Sequence, residues 1–285
     1  IRRRLSGSAV LHAHDAHSVT LTGLSALLRD TPVVVTRRVA LPLRHPFFWQ
    51  RACHIIAISG AVREVVLQAG IRPERVSIIP SALDPDVSDC SGLDVRKSLG
   101  LPASARFAMQ LAALTPEKDQ ATLIAAASHL VQDLPDLHWV IVGEGPSRPR
   151  LEHLLVQMGL SDRVHLLGAL EDPHRVLRQA DLFVLSSVSE GLGSSILAAM
   201  AMGVPVVATR VGGVPDLVGN GGGLLVRPRE PAELAAEVRR IFIDPSLRAR
   251  LVATARSEIQ KFSVAAMADQ VLSVYRSCAH SLDGT

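Results

Sequence analysis

Cysteine, aromatic residues and long apolar runs are all scarce in this chain, and each scarcity excludes something. Of 285 residues only three are cysteine (Cys53, Cys90 and Cys278), odd in number and far apart. That pattern excludes a disulfide framework and a cysteine-built zinc site, and it fits a reducing cytosol. Aromatic residues make up 3%, too few for the stacking platforms of single-strand binders, so no nucleic-acid partner is expected. No apolar stretch reaches the ~20 residues of a bilayer-spanning helix. The strongest, 196–208, is broken by Gly203 and Pro205. The basic start Arg2-Arg3-Arg4 leads into no apolar segment of the signal-peptide kind. A cytoplasmic protein is expected. Lysine is missing from residues 1–90, where 11 arginines against 7 acids leave +4, while residues 91–285 come to −1. Such a first part suits an anionic partner, such as a phosphorylated sugar or a membrane surface touched peripherally; the alternative is an ordinary solvated surface.

What is present is enough for a sizeable core. Hydrophobic residues make up 48% and charged residues 20%, outside the disordered range, and the length suggests two domains. Short β-branched runs alternate with helical patterns, which signals βαβ units and parallel sheets. Strands are predicted at 8–12, 32–36, 54–58 and 76–79, with helices at 18–28, 46–52 and 60–70 and Ser59 as an N-cap. Residues 80–92, rich in Pro, Ser, Asp and Gly, read as a linker. A second alternation follows, with strands at 106–111, 138–142, 164–167, 182–185, 204–208 and 223–226. Helices are predicted at 119–131, 148–158, 174–179, 194–202, 231–243, 245–260 and 265–281. The fold class is therefore α/β, with two doubly wound, Rossmann-like domains facing a cleft where the active site is expected. The predicted domains are 1–90, 91–265 and a helix over 266–285 that packs back toward the first. The chain also begins as if inside a domain, so the first domain is expected to lack early strands.

The stretch 181–210, DLFVLSSVSEGLGSSILAAMAMGVPVVATR, carries the chemistry. A strand ends in a serine-rich bend, Glu190-Gly191-Leu192-Gly193-Ser194-Ser195 follows, and then a helix. Gly191 and Gly193 let the backbone turn sharply and approach a ligand closely. The amides of 193–196 at a helix N-terminus make an anion site suited to a diphosphate. Glu190 at the loop entrance would face sugar hydroxyls. The plainer alternative is a strand–turn–helix joint with a solvated glutamate.

This segment resembles the signature loop of the family 4 glycosyltransferases, retaining enzymes of the GT-B fold. Other stations appear in order. Val140-Ile141-Val142-Gly143-Glu144-Gly145-Pro146 is similar to the family's strand and glycine turn. Val164-His165-Leu166-Leu167-Gly168 is similar to the strand lining the nucleotide base. Lys118, in Thr115-Pro116-Glu117-Lys118-Asp119, matches the lysine that meets the donor diphosphate. The last helix, through Tyr275, resembles the one that braces the first domain. The resemblance implies transfer of a hexose-like sugar from a nucleotide diphosphate to a glycan or lipid-linked acceptor, in cell-envelope or other polysaccharide synthesis. It implies Glu190, Lys118 and His14 as catalytic residues. Gly191, Leu192, Gly193, Ser194, Ser195, Gly143, Gly145, Leu167 and Gly168 would hold the donor. No cofactor is implied beyond the nucleotide-sugar substrate. No divalent metal is expected, because a lysine and a helix terminus supply the positive field.

Before the second predicted element lies His12-Ala13-His14-Asp15-Ala16-His17. Three close histidines invite a metal reading, but Asp15 falls one place early for the H-x-H-x-D-H order and no later cluster completes a site. His14, and after it His12, match the family's histidine near sugar or acceptor. Arg37 and Arg38 end the next strand and suit an anionic acceptor. The chain departs from the family pattern in having Ala198 for its second glutamate, Ala113 for an arginine, and a late start; Ala198 and the late start favour an alternative, a weakened or inactive relative that still binds a nucleotide sugar. A GT-B epimerase or phosphorylase is a nearer rival than a dinucleotide oxidoreductase, whose G-x-G-x-x-G fingerprint is missing.

Overall fold

The computed structural model describes residues 10–26, 31–43, 46–83 and 94–283. Several expected features lie outside the described residues: Arg2-Arg3-Arg4, positions 8–9 and 27–28 of the first strand and helix, Cys90, and most of the 80–92 linker. By internal contacts the chain forms two units. One comprises Ile1–Ala82, Glu190–Leu192 and Lys261–Thr285; the other comprises Leu83–Ser189 and Gly193–Gln260.

In the first unit, β1 (Leu11–Ala13), β2 (Val33–Arg37), β3 (His54–Ala57) and β4 (Val76–Ile78) form a parallel sheet in that order. All five residues of β2 are buried, as expected of an unbroken β-branched run inside a parallel sheet covered on both faces. Helices α1 (Ala16–Ala26), α2 (Phe47–Gln50) and α3 (Gly60–Gln68) connect the strands. Asp15 caps α1 reciprocally with Ser18: Ser18 N–H donates to Asp15 Oδ1 at 2.8 Å, and Asp15 N–H to Ser18 Oγ at 3.1 Å. Ser59 caps α3 as predicted, accepting from Val62 N–H at 3.2 Å.

The second unit carries six parallel strands: β5 (Arg106–Leu111), β6 (Leu137–Val142), β7 (Val164–Gly168), β8 (Leu182–Leu185), β9 (Val206–Thr209) and β10 (Leu224–Val226). Their order is β10-β9-β8-β5-β6-β7. The connectivity reverses between β5 and β8, and such reversals open a crevice outside the carboxyl ends of the strands. The helices are α4 (Val95–Ser98), α5 (Gln120–Leu130), α6 (Arg148–Gln157), α7 (Pro173–Arg178), α8 (Ser194–Ala201), α9 (Val214–Val218), α10 (Pro231–Ile243) and α11 (Pro245–Glu258). Trp139, Leu123, Leu182 and Val207 sit in one continuous core. The sequence patterns missed α4 and α9. Both are under two turns long, too short for a 3.6-residue period to register.

The last helix, α12 (Val264–Asp283), belongs to the first unit. Its Val274 and Cys278 pack with Val34, Ile56 and Ile79 of the sheet. Cys278 is disulfide-bonded to Cys53, with Cα atoms 6.1 Å apart and a sequence separation of 225. This corrects the expectation drawn from cysteine spacing: the pair is made by the return of α12, which spacing along the chain does not reveal. The cysteines therefore lend no support to a reducing compartment. Among the described residues no helix is long and apolar enough to cross a membrane.

Candidate functional site

In the second unit the site is built from loops at the carboxyl ends of β5 to β9. After β5 the chain makes a single 3₁₀ turn over Pro116–Lys118 and then reverses at Asp119, whose φ of 44° is left-handed. Aspartate is among the few non-glycine residues that adopt this conformation readily. Here its carboxylate also accepts from Thr122 Oγ1 at 2.6 Å. The reversal holds Lys118 beyond the carboxyl end of β5, ahead of α5. A buried relay fixes it from below. Gln110 Nε2 donates to Ser186 Oγ at 3.0 Å, and the Ser186 hydroxyl lies 3.0 and 2.9 Å from the carbonyls of Lys118 and Asp119. Val188 N–H donates to Glu117 O at 2.8 Å. The two loops flanking the connectivity reversal are thus tied together.

Beyond Ser187, whose carbonyl accepts from Thr209 Oγ1 at 2.5 Å, the chain enters α8 through Gly193. Its φ of 90° belongs to the left-handed region that favours glycine. Ile196 N–H donates to Gly193 O at 2.9 Å. It is therefore not one of the open amides expected over 193–196. Ser194 and Ser195 occupy the first turn, where amide groups have no partner inside the helix. Ser194 is exposed, and both serines accompany the positive end of the helix dipole. Position 198 is a buried alanine at 1% exposure.

The glycine turn after β6 interlocks with the loop after β5. A Cβ at Gly143 would overlap the Ala112 carbonyl, and one at Gly145 the Leu114 carbonyl. Only glycine allows these backbones to meet. Gly143 N–H donates to Gly168 O at 2.8 Å, which brings in the end of β7 and Leu167. Arg148 clamps the same corner, donating to Glu144 at 2.8 Å, Glu152 at 2.8 Å and Leu166 O at 3.2 Å. Beside the Lys118 turn lies a cavity of about 240 Å³ lined by Thr115, Ser147, Arg150, Val188 and Arg229. Thr115 Oγ1 is buried there without a protein partner. Lys118, Ser194, Ser195, Gly143, Gly145, Leu167 and Gly168 thus all stand at one end of one sheet.

Glu190, Gly191 and Leu192 group with the first unit. Gly191 O accepts from Ser59 Oγ at 2.6 Å, and a Cβ at Gly191 would overlap the Arg38 carbonyl. Glu190 is 8% exposed. Leu192 is buried, so only its backbone is left to serve a ligand. His14 is exposed and lines a separate cavity of about 370 Å³ in this unit. Its ring lies 4.1 Å from that of His12. His12 is fixed at both nitrogens, by Tyr275 Oη at 2.5 Å and Thr36 Oγ1 at 2.8 Å. Burial, and then the neighbouring His14 and Arg38, lower the His12 pKa to about 4, so its ring is neutral at pH 7. Asp15 is engaged as a helix cap. Among the described residues no three His, Cys, Asp or Glu side chains are grouped to hold a metal ion. Arg38 lines the same cavity as His14. Arg37 instead lies over Trp49 and donates to Leu41 O at 2.7 Å, because neighbours on a strand face opposite ways.

Sequence reasoning missed Gln110, Ser186 and Thr36, and placed Tyr275 on the bracing helix without its bond to His12. Each acts through a partner distant in the chain, and none carries a local motif. A polar residue inside an apolar strand run, such as Gln110, was the one available signal.

The profile described as Glycosyl transferases group 1 matches residues 93–258, and that described as Glycosyltransferase Family 4 matches residues 1–87. The chain is 30% identical over 266 residues to alpha-D-kanosaminyltransferase of Streptomyces kanamyceticus, covering 88% of this chain and 68% of that protein. It is 31% identical over 205 residues to 2-deoxystreptamine glucosyltransferase of the same organism, covering 69% and 53%. D-inositol 3-phosphate glycosyltransferase of Stackebrandtia nassauensis is 30% identical over 280 residues, covering 93% and 62%. This chain thus spans between 53% and 68% of these relatives. Among solved structures, Anabaena HepE in complex with UDP superposes with a TM-score of 0.80 at 25% identity, covering 97% of this chain and 79% of that one. Its complex with UDP-glucose gives 0.78 at 26%, covering 97% and 79%.

Proposed function

Because the chain belongs to the group 1 and family 4 glycosyltransferases and has their α/β GT-B fold, we propose that it transfers a sugar from a nucleotide diphosphate to an acceptor hydroxyl with retention. The observation that carries this reading is the joining, at the β5/β8 reversal, of the Lys118 turn to the loop that leads into α8. The difficult step is departure of the nucleotide, when negative charge grows on the β-phosphate. Lys118 and the first-turn amides of α8 form a fixed positive field for that charge. Glu190 orients the donor sugar through its hydroxyls. The Gly143–Gly145 turn and the Leu167–Gly168 end of β7 hold the nucleoside. His14 serves the acceptor side. Uridine diphosphate is the first donor nucleotide to try, since HepE is similar to this chain and its structures contain UDP and UDP-glucose. The reaction needs no divalent metal in this scheme, and the sugar is a hexose. The acceptor is a cell-envelope or other glycan, or a lipid-linked precursor, met peripherally at the cytoplasmic membrane face by the arginine-rich first unit.

Calorimetric titration with UDP tests the reading. One UDP per chain is expected, with Lys118→Ala weakening it roughly ten- to hundredfold, the effect of losing one charge-assisted hydrogen bond of about 1.5–3 kcal/mol. A chain that binds no UDP or other nucleoside diphosphate, or an unaltered Lys118→Ala variant, overturns it. The buried Ala198 favours a second reading, a relative that binds a nucleotide sugar without turnover. Tight binding combined with neither hydrolysis nor transfer of any UDP-hexose decides for it.

A further inference from the structure

The cavity of about 370 Å³ in the first unit lies between the carboxyl ends of its strands and α12, and its size is that of a small-molecule site. Its walls are aliphatic: Ile56, Ile58, Ile79, Met267, Val271 and Leu272. The polar groups that reach it are mostly engaged with one another. His12 is bonded to Tyr275 and Thr36, and Ser81 Oγ accepts from Arg38 at 3.3 Å. A sugar placed against the aliphatic walls would leave its hydroxyls unpaired, which burial penalises. An alkyl chain would not. Among the described residues the lining contains no carboxylate, and its exposed polar members are His14 and Arg38. The charge complementary to this site is therefore negative.

We infer that this cavity seats the apolar segment of a single amphiphilic anion, with a phosphate-like head group at Arg38 and His14. This rests on the acceptor role proposed for the first unit and narrows the acceptor to one carrying an alkyl or prenyl tail. The occupant enters as one molecule; the cavity is not a patch that adsorbs to a bilayer.

Titration calorimetry of the full chain with dodecyl phosphate, kept below its micelle concentration, tests the inference. Parallel titrations use inorganic phosphate, dodecyl maltoside, and vesicles of phosphatidylglycerol and phosphatidylcholine. One dodecyl phosphate per chain is expected. Ala268→Phe, which fills the cavity from a lining position on α12, weakens it about tenfold or more. Leu272→Glu, at an exposed lining position, weakens it similarly and stands in if Ala268→Phe fails to fold. Arg38→Gln weakens dodecyl phosphate severalfold and leaves dodecyl maltoside unchanged. Many molecules per chain, equal binding of inorganic phosphate, undiminished binding by both cavity variants, or binding to vesicles alone overturns the inference. The UDP titration is a separate readout. A chain that binds UDP and no dodecyl phosphate loses this inference only; one that binds dodecyl phosphate and no nucleotide loses the donor reading.

Discussion

Ser186 shows how one hydroxyl can set a catalytic position without touching a ligand. It receives Gln110 and supports the backbone on either side of the Lys118–Asp119 bond. Ser186→Ala takes the acceptor from Gln110 Nε2 and removes the one hydroxyl hydrogen that the Lys118 and Asp119 carbonyls share, in a fully buried place. A loss of about 1–3 kcal/mol in stability is expected, read by denaturant unfolding, together with weaker UDP binding as the turn relaxes. His12 offers a second residue-scale test. With its pKa lowered to about 4, its ring-proton NMR titration should have a midpoint near 4. Removing the Tyr275 hydroxyl by Tyr275→Phe should leave the ring partly free and alter its chemical shift at neutral pH.

At the scale of elements, the strands were the most legible part of the sequence. The short apolar runs that become β2, β5, β6 and β8 are confined to a few residues between polar or glycine turns, and burial on both faces needs no more pattern than that. The Asp181–Arg210 region was legible as a strand, bend and helix because Gly193 marks the sharp left-handed step into α8. Gly193→Ala should cost about 1–2 kcal/mol from the left-handed backbone alone, measured as a lower unfolding midpoint, and should weaken UDP binding more than stability. What stayed hidden was long-range. The His12–Tyr275 bond spans 263 residues and the Cys53–Cys278 bond 225, and neither leaves a local trace. The disulfide ties α12 to the sheet of the first unit. Non-reducing peptide mapping should recover the Cys53 and Cys278 peptides joined, and Cys278→Ser should lower stability by about 2–4 kcal/mol.

For the whole molecule, the charged and buried groups agree in sign. His12, His54, His138 and His165 all have pKa values lowered, chiefly by burial. The unfolded chain takes up these protons near pH 6.5, while the folded chain resists them until lower pH. Stability from this source is complete above about pH 6.5 and is lost as pH falls toward 4. Asp136, lowered by its hydrogen bond to Arg106, acts in the same direction at still lower pH. Thermal unfolding midpoints should therefore decline steadily from pH 7 to pH 4. His12→Gln should flatten the decline. A midpoint that rises on acidification would contradict the burial described for these imidazoles.

The membership of α12 in the first unit bears on biogenesis. The stretch from Leu83 to Gln260 holds all of the second unit, so that part can condense without α12. The earlier-emerging β1 to β4 sheet must wait for its partner helix, which is encoded only after that whole stretch. Maturation thus runs against the order of translation. Chains truncated before Val264 and released should resist protease across the later half and remain cleavable in the earlier one.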